Sequence, residues 1–284
     1  MKAKKLKTIA TLLIMITGSI FTNAQTLKVP APSPLQTIKQ AFALSDITIE
    51  YSRPGAKGRV VYGDVVPFGK VWRTGANATT KITFGEDVKV EGNAVAAGTY
   101  GIYTVPNKET WEIMLYKDVT LGGNVADYKK ENELLRFTVK PTSIANKVET
   151  FTMNFTDVTP TNTNIELVWE NTRVAFSVTA DIDSKIMKNI ETALAKDSRP
   201  YFQAAGYYYD NNKDLKTALE WANKATEMNP KAYYMFMLKA KIELKMKDNK
   251  AAIATAEKVI TLAKEDKDDA YVNQATKLIA EAKK

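Results

Sequence analysis

Between Arg53 and Asn77 the chain gathers Arg53, Arg59, Lys70, Trp72, Arg73, Thr74 and Asn77 among glycines and prolines. Guanidinium forks beside backbone amides in a glycine-rich loop are suited to a carboxylate, a phosphate or the acid group of a glycan. The same residues have a structural use. An arginine in a long β connection can satisfy carbonyls that no strand reaches, and a tryptophan can close the end of a β core. Both uses are open for Arg73.

Much other chemistry is excluded by composition. The chain contains neither cysteine nor histidine. No Ser-His-Asp triad, thiolate nucleophile or imidazole metal ligand can be built, so no catalytic residue, cofactor or metal site is assigned. Oxygen-ligand sites for calcium or magnesium stay open. However, "DIDS" from Asp181 to Ser184 lacks the rest of a calcium loop and reads as a helix cap. Carboxylates could still carry hydrolysis as a pair in a cleft. Glu50, Asp64, Glu86, Asp87, Glu109 and Glu112 supply acids, but no spacing singles out two of them. No GxxxxGK[ST] string occurs, and no GxGxxG follows a strand pattern.

A second group is aromatic. Tyr207 and Tyr208, in the run "YYYD", and Tyr233 and Tyr234 fall in the helical half. They are candidates for a surface that holds a partner peptide, or for packing. The lysines from Lys231 to Lys250 read as a solvated face.

Two sets of elements must position these residues. Over residues 35–180 apolar residues alternate, as in Ile47/Ile49/Tyr51, Trp111/Ile113/Leu115, Phe151/Met153/Phe155 and Val174/Phe176/Val178. Turn residues divide them, among them Gly122-Gly123-Asn124 and Asn171. Gly85-Glu86-Asp87 reads as a hairpin between Ile82/Phe84 and Val88/Val90. The pattern predicts an all-β antiparallel sandwich or barrel-like domain.

Over residues 181–284 the period becomes helical, as in Ile186/Ile190/Leu194. Ser198-Pro200 and Asn229-Pro230 read as helix starts. Small residues recur 34 positions apart at Gly206/Ala240, Ala218/Ala252 and Ala222/Ala256. That period predicts tetratricopeptide-like repeats, with a plain helical hairpin bundle as the alternative. Phe202, Gly206, Tyr209, Ala218, Ala225 and Pro230 fit the repeat, whereas Glu243 stands in the second unit where the repeat has a tyrosine. The helix from about Asp268 to the end reads as a polar cap, and that from about Ser184 as a half repeat.

Residues 1–24 read as a secretory signal peptide: lysines at 2, 4, 5 and 7, an apolar run from Thr8 to Phe21, then Thr22-Asn23-Ala24. The run is short for a membrane anchor. Residues 25–34, including "VPAPSP", form a Pro-rich linker. Half of the formal charge of +8 sits on the four leader lysines, so the rest is too mild for a nucleic-acid footprint. An exported chain without cysteine relies on core packing rather than disulfides. The expected location is the periplasm or the extracellular space, with no membrane span after cleavage.

Several strings carry a resemblance. They are "SRPGAKGRVVYGDVVPFGKVWRTGANATTKITF" (Ser52 to Phe84), "AAGTYGIYTVP" (Ala96 to Pro106), "WEIMLY" (Trp111 to Tyr116) and "LVWENTRVAFSV" (Leu167 to Val178). In this order they resemble the secreted bacterial family known as domain of unknown function 2911, over about residues 33–180. The resemblance implies a secreted β domain with no established reaction, often accompanied by a helical repeat. The leading expectation is an exported, non-catalytic envelope protein that docks another envelope protein or a peptide on its repeat. The alternatives are a binding module for a small anionic ligand or glycan around Arg73, and a carboxylate-dependent hydrolase.

Overall fold

The computed structural model describes residues 29–195 and 200–284. The expected leader, residues 25–28 of the linker and the Ser198 cap lie outside the described residues. The chain divides into two compact units, up to Ala180 and from Asp181.

Among the described residues the first unit has ten strands: β1 (Leu35–Phe42), β2 (Ser45–Ser52), β3 (Ala76–Phe84), β4 (Val88–Val90), β5 (Asn93–Val95), β6 (Gly98–Val105), β7 (Trp111–Tyr116), β8 (Glu133–Val139), β9 (Thr142–Thr156) and β10 (Asn162–Thr179). They form a six-stranded sheet, β1-β2-β3-β6-β7-β8, and a four-stranded sheet, β5-β4-β10-β9. Every strand pairing is antiparallel. The alternating apolar residues bury one face of each sheet, including Ile49, Ile82, Ile113, Phe151, Ile165 and Phe176. Rings from the two sheets meet, Tyr51 with Phe151 at 5.7 Å and Phe137 with Phe176 at 5.4 Å. The result is an open sandwich, not a closed barrel.

Two expectations are corrected. Gly85-Glu86-Asp87 is not a hairpin, because β3 and β4 belong to different sheets. The Gly85 amide donates to the Asp46 carbonyl at 3.0 Å, and the chain crosses to the second sheet with Val88 and Val90 buried there. Asn171 does not separate two strands either. β10 runs through it, with register shifts between Val168 and Glu170 and between Glu170 and Thr172, and Glu170 at φ 52°. This bulge shifts the alternation: Ile165, Leu167 and Trp169 are buried before it, with Val168 beside them, and Val174, Phe176 and Val178 after it.

The six-stranded sheet is also covered on its outer side. Tyr103, Val105, Met114 and Tyr116 point away from the inter-sheet core and pack under Leu121, Val125 and Tyr128 of the β7–β8 connection. Tyr116 and Tyr128 stack with centroids 4.6 Å apart. The Gly122 amide donates to the Thr79 hydroxyl at 2.9 Å, which docks this connection on β3.

The second unit has helices α1 (Asp183–Ala195), α2 (Tyr201–Asp210), α3 (Leu215–Met228), α4 (Tyr233–Lys245), α5 (Asn249–Glu265) and α6 (Asp269–Ala282). From α2 onward, consecutive helices pack together, and α4 also touches α2 and α6. Ala218, Ala222, Ala240, Ala252 and Ala256 are fully buried, so the 34-residue period marks where helices meet. Asp214, Asp248 and Asp268 cap α3, α5 and α6, accepting from the amides of Thr217 (2.9 Å), Ala251 (3.1 Å) and Tyr271 (3.1 Å). Asn229-Pro230 does not start a helix. Asn229 closes α3, its amide donating to the Ala225 carbonyl, and α4 begins at Tyr233. Among the described residues no helix is long and apolar enough to cross a membrane.

Candidate functional site

In the β unit, the Arg53–Asn77 stretch is largely occupied with folding. Arg53 donates from Nε to the Phe151 carbonyl (3.0 Å) and from Nη2 to the Thr152 hydroxyl (2.6 Å), tying the end of β2 to β9. Arg59 donates to the carbonyls of Ala56 (3.0 Å) and Gly55 (2.9 Å) within its own turn. Asn77, at φ 58°, donates from Nδ2 to the Ser33 carbonyl (3.1 Å) and the Ser52 hydroxyl (3.3 Å). Thr74 is fully buried, and its hydroxyl donates to that of Thr104 at 3.2 Å.

Trp72 and Arg73 part ways. The Trp72 amide donates to the Thr104 carbonyl (2.7 Å), and the Thr104 amide donates back (2.9 Å). Trp72 thus continues the ladder beside β6, and successive side chains point to opposite faces. The indole goes inward, 5.2 Å from Phe151, 5.9 Å from Trp169 and 6.4 Å from Trp111, with Nε1 donating to the Gly75 carbonyl at 3.0 Å. Gly75 is required here: its φ is 149°, and a Cβ would lie 2.9 Å from the Ser52 carbonyl oxygen.

Arg73 goes outward, over Gly123. A Cβ on Gly123 would overlap the guanidinium. Arg73 is half-buried and has no hydrogen bond or ion pair among the described residues. Burial pushes the nearby Tyr103 phenol up, a hydrogen bond with Thr79 opposes this, and the positive charge of Arg73 is a lesser downward pull. Beside the guanidinium lies a cavity of about 150 Å³. Its walls are Val65, Val66, Pro67, Val71, Trp72 and Val125, with Lys70 and Arg73 as its cations. Of the seven residues singled out from sequence, the structure brings Lys70, Trp72 and Arg73 to this cavity and sends the other four elsewhere. Gly123 and Val125 carry no signal that sequence reasoning could have tied to Arg73.

Four of the candidate acids are taken up by folding contacts. Glu50 meets Lys81 at 3.3 Å. Glu112 and Glu133 share Arg136, at 2.7 and 2.6 Å, and that guanidinium holds Glu133 below the usual carboxylate range. Glu86 and Asp87 accept from the amides of Leu44 and Ala97. Among the described residues no group of three or more acids is placed to hold a metal ion.

In the helical unit, α2, α4 and α6 line two adjoining depressions of about 620 and 550 Å³ that share Tyr209, Met237, Lys241 and Gln274. Together they make one groove. Tyr207 and Tyr234 line it. Tyr234 is 42% exposed and meets Phe202 edge-on at 5.4 Å. The Tyr207 hydroxyl donates to Asp183 at 2.6 Å, so this residue offers its ring as wall. Tyr208 and Tyr233 are elsewhere. Tyr208 packs on Trp221 at 4.7 Å between α2 and α3, and Tyr233 packs on Tyr271 at 5.0 Å with its hydroxyl donating to Asp268.

The groove adds Gln203, Lys241, Gln274 and Lys277, which the aromatic runs did not flag. Tyr234, Lys241 and Lys245 do recur at helical spacing along α4. Within the run of lysines read as a solvated face, Lys241 is half-buried on the groove wall. Neither Lys241 nor Lys277 has an ion pair or hydrogen bond among the described residues. Lys245 lies 4.6 Å over the Tyr209 ring and donates to Asn212 at 2.6 Å.

Comparison with known proteins matches two profiles. A family described as Protein of unknown function (DUF2911) matches residues 33–178. A tetratricopeptide repeat matches residues 200–232 and 233–266. No curated protein and no solved structure matches the chain.

Proposed function

Since the chain belongs to the DUF2911 family of proteins of unknown function and carries tetratricopeptide repeats behind that domain, we propose that it is an exported, non-catalytic scaffold that holds a segment of a partner protein in the groove of its repeat. One observation carries the reading: α2, α4 and α6 face a common groove with aromatic rings and two lysines along it that are unpaired among the described residues. Repeats of paired helices present such grooves to extended or helical peptides. Rings of Phe202, Tyr207, Tyr234 and Tyr271 offer apolar anchorage at low entropic cost, while Lys241, Lys245 and Lys277 outnumber Asp210 and Glu281 along the groove and favour a segment carrying carboxylates. Export rests on the basic start, apolar run and Ala24 of the leader.

The test is a peptide array of acidic, aromatic-containing segments of envelope proteins, probed with the chain recovered from the envelope. That chain is expected to begin at Gln25. Tyr234→Ala is expected to weaken binding by about tenfold or more, the scale of an aromatic hot spot. Lys241→Glu is expected to reverse the preference for acidic segments. Binding that ignores both substitutions overturns the reading.

A further inference from the structure

We propose that the cavity beside Arg73 is a binding site for a small carboxylate with a compact apolar body. The guanidinium carries five N–H donors in a rigid fork. None of them reaches an acceptor among the described residues, although the side chain is half-buried. Its nitrogens are not among the buried unpartnered atoms, so the fork keeps access to solvent and is open to a ligand. The contrast is internal to the same stretch, since Arg53 and Arg59 each spend their donors on carbonyls.

The position of the guanidinium is also set in advance. Trp72 is locked to Thr104 by two backbone hydrogen bonds, so Arg73 leaves the ladder on the outer face. The opposite wall is held by the Gly122 amide on Thr79. Gly123 leaves space that a Cβ would take from the guanidinium. The lining residues lie in connections, but two of those connections are pinned by hydrogen bonds to β6 and β3, so the site is held in place before a ligand arrives.

Size and lining choose the ligand. About 150 Å³ is the liquid volume of roughly five waters, below the usual span of a drug-sized site. A carboxylate matches the arginine fork with two parallel hydrogen bonds. Val66, Val71, Val125 and Pro67 leave the rest of the cavity apolar. Those walls suit a short hydrocarbon or ring. They disfavour inorganic phosphate, which would face valines with its remaining charged oxygens. They equally disfavour a hydroxylated ring. Lys70 is exposed at the rim and attracts the anion without clamping it.

The experiment titrates the purified chain at constant ionic strength with butyrate, benzoate, glucuronate and inorganic phosphate, by calorimetry and by thermal melting. Butyrate and benzoate are expected to bind saturably. At a hundredfold excess over Kd they should raise the β unit's Tm by roughly 5–10 °C. Glucuronate and phosphate are expected to bind at least about tenfold more weakly, the loss of one good interaction. Arg73→Gln should abolish the shift, and Arg59→Gln should keep it. Gly123→Ala removes no charge but evicts the guanidinium, so it should also abolish the shift. It carries the test if Arg73→Gln fails to fold. Three results overturn the proposal: no saturable carboxylate binding, binding unchanged by both site substitutions, or glucuronate or phosphate binding as tightly as benzoate.

Discussion

Arg53 gives one hydrogen bond to the Phe151 carbonyl and one to the Thr152 hydroxyl, joining strands of two different sheets. Arg73, on the same stretch, gives none among the described residues. Removing the first should cost stability and removing the second should not. Hydrogen bonds from a charged donor contribute about 1.5–3 kcal/mol, and Arg53→Met also strands a buried carbonyl. A loss of about 2–3 kcal/mol, roughly 5–10 °C in the melting of the β unit, is expected. Arg73→Met should melt nearly unchanged, because the substitution removes no hydrogen bond or ion pair among the described residues and keeps an apolar stem of similar length. Equal losses in the two variants would remove the basis for calling Arg73 available. Nothing in the residue types separates these arginines. What separates them is the strand each one faces, and for Arg53 that partner is 98 positions away. The type and neighbourhood of the candidate site were legible, but the destination of each donor was not.

At the scale of elements, the pattern was readable wherever one face is buried and the other wet. β6 shows why it fails elsewhere. Gly101 through Val105 are buried without alternation, because Ile102 faces the inter-sheet core while Tyr103 and Val105 lie under the β7–β8 connection. The Gly85 turn has hairpin chemistry, yet local chemistry does not say which sheet the next strand joins. The helical repeat was more legible, since its small residues sit where helices meet. Gly206 departs from that account. A Cβ there would meet the Leu238 side chain at 3.8 Å, an ordinary contact, so close helix approach does not require glycine. Gly206→Ala should therefore stabilise α2 by about 0.5–1 kcal/mol through helix propensity. Gly206 also lines the groove beside Tyr207, so the added methyl should narrow the groove and weaken peptide binding. A higher Tm with lower peptide affinity is the expected pair of results. A higher Tm with unchanged affinity would place the peptide elsewhere.

At the scale of the whole molecule, each unit has a core of its own, and the division falls between Ala180 and Asp181. The segment 181–284 is expected to fold alone, with helical circular dichroism and a cooperative melt. Its weak point is Glu243, which is 4% exposed in α4. Its Oε2 has no hydrogen-bond partner among the described residues, and Lys239 lies 3.8 Å from its Oε1. Burial pushes this carboxyl above its ordinary value, against smaller downward pulls from Thr255 and Lys239. A folded-state pKa above the unfolded one means that the folded unit holds the proton more tightly. The stability linked to Glu243 is then complete below the unfolded pKa, roughly pH 4, and is lost as pH rises through the folded value. Glu243→Gln, which keeps the shape and removes the charge, should raise the Tm of the segment at pH 7.5. Its advantage should shrink as the pH approaches 4. An equal Tm for the two proteins at pH 7.5 would mean that Glu243 meets its charge with water or a partner after all. A segment that fails to melt cooperatively would mean that the helical unit does not stand by itself.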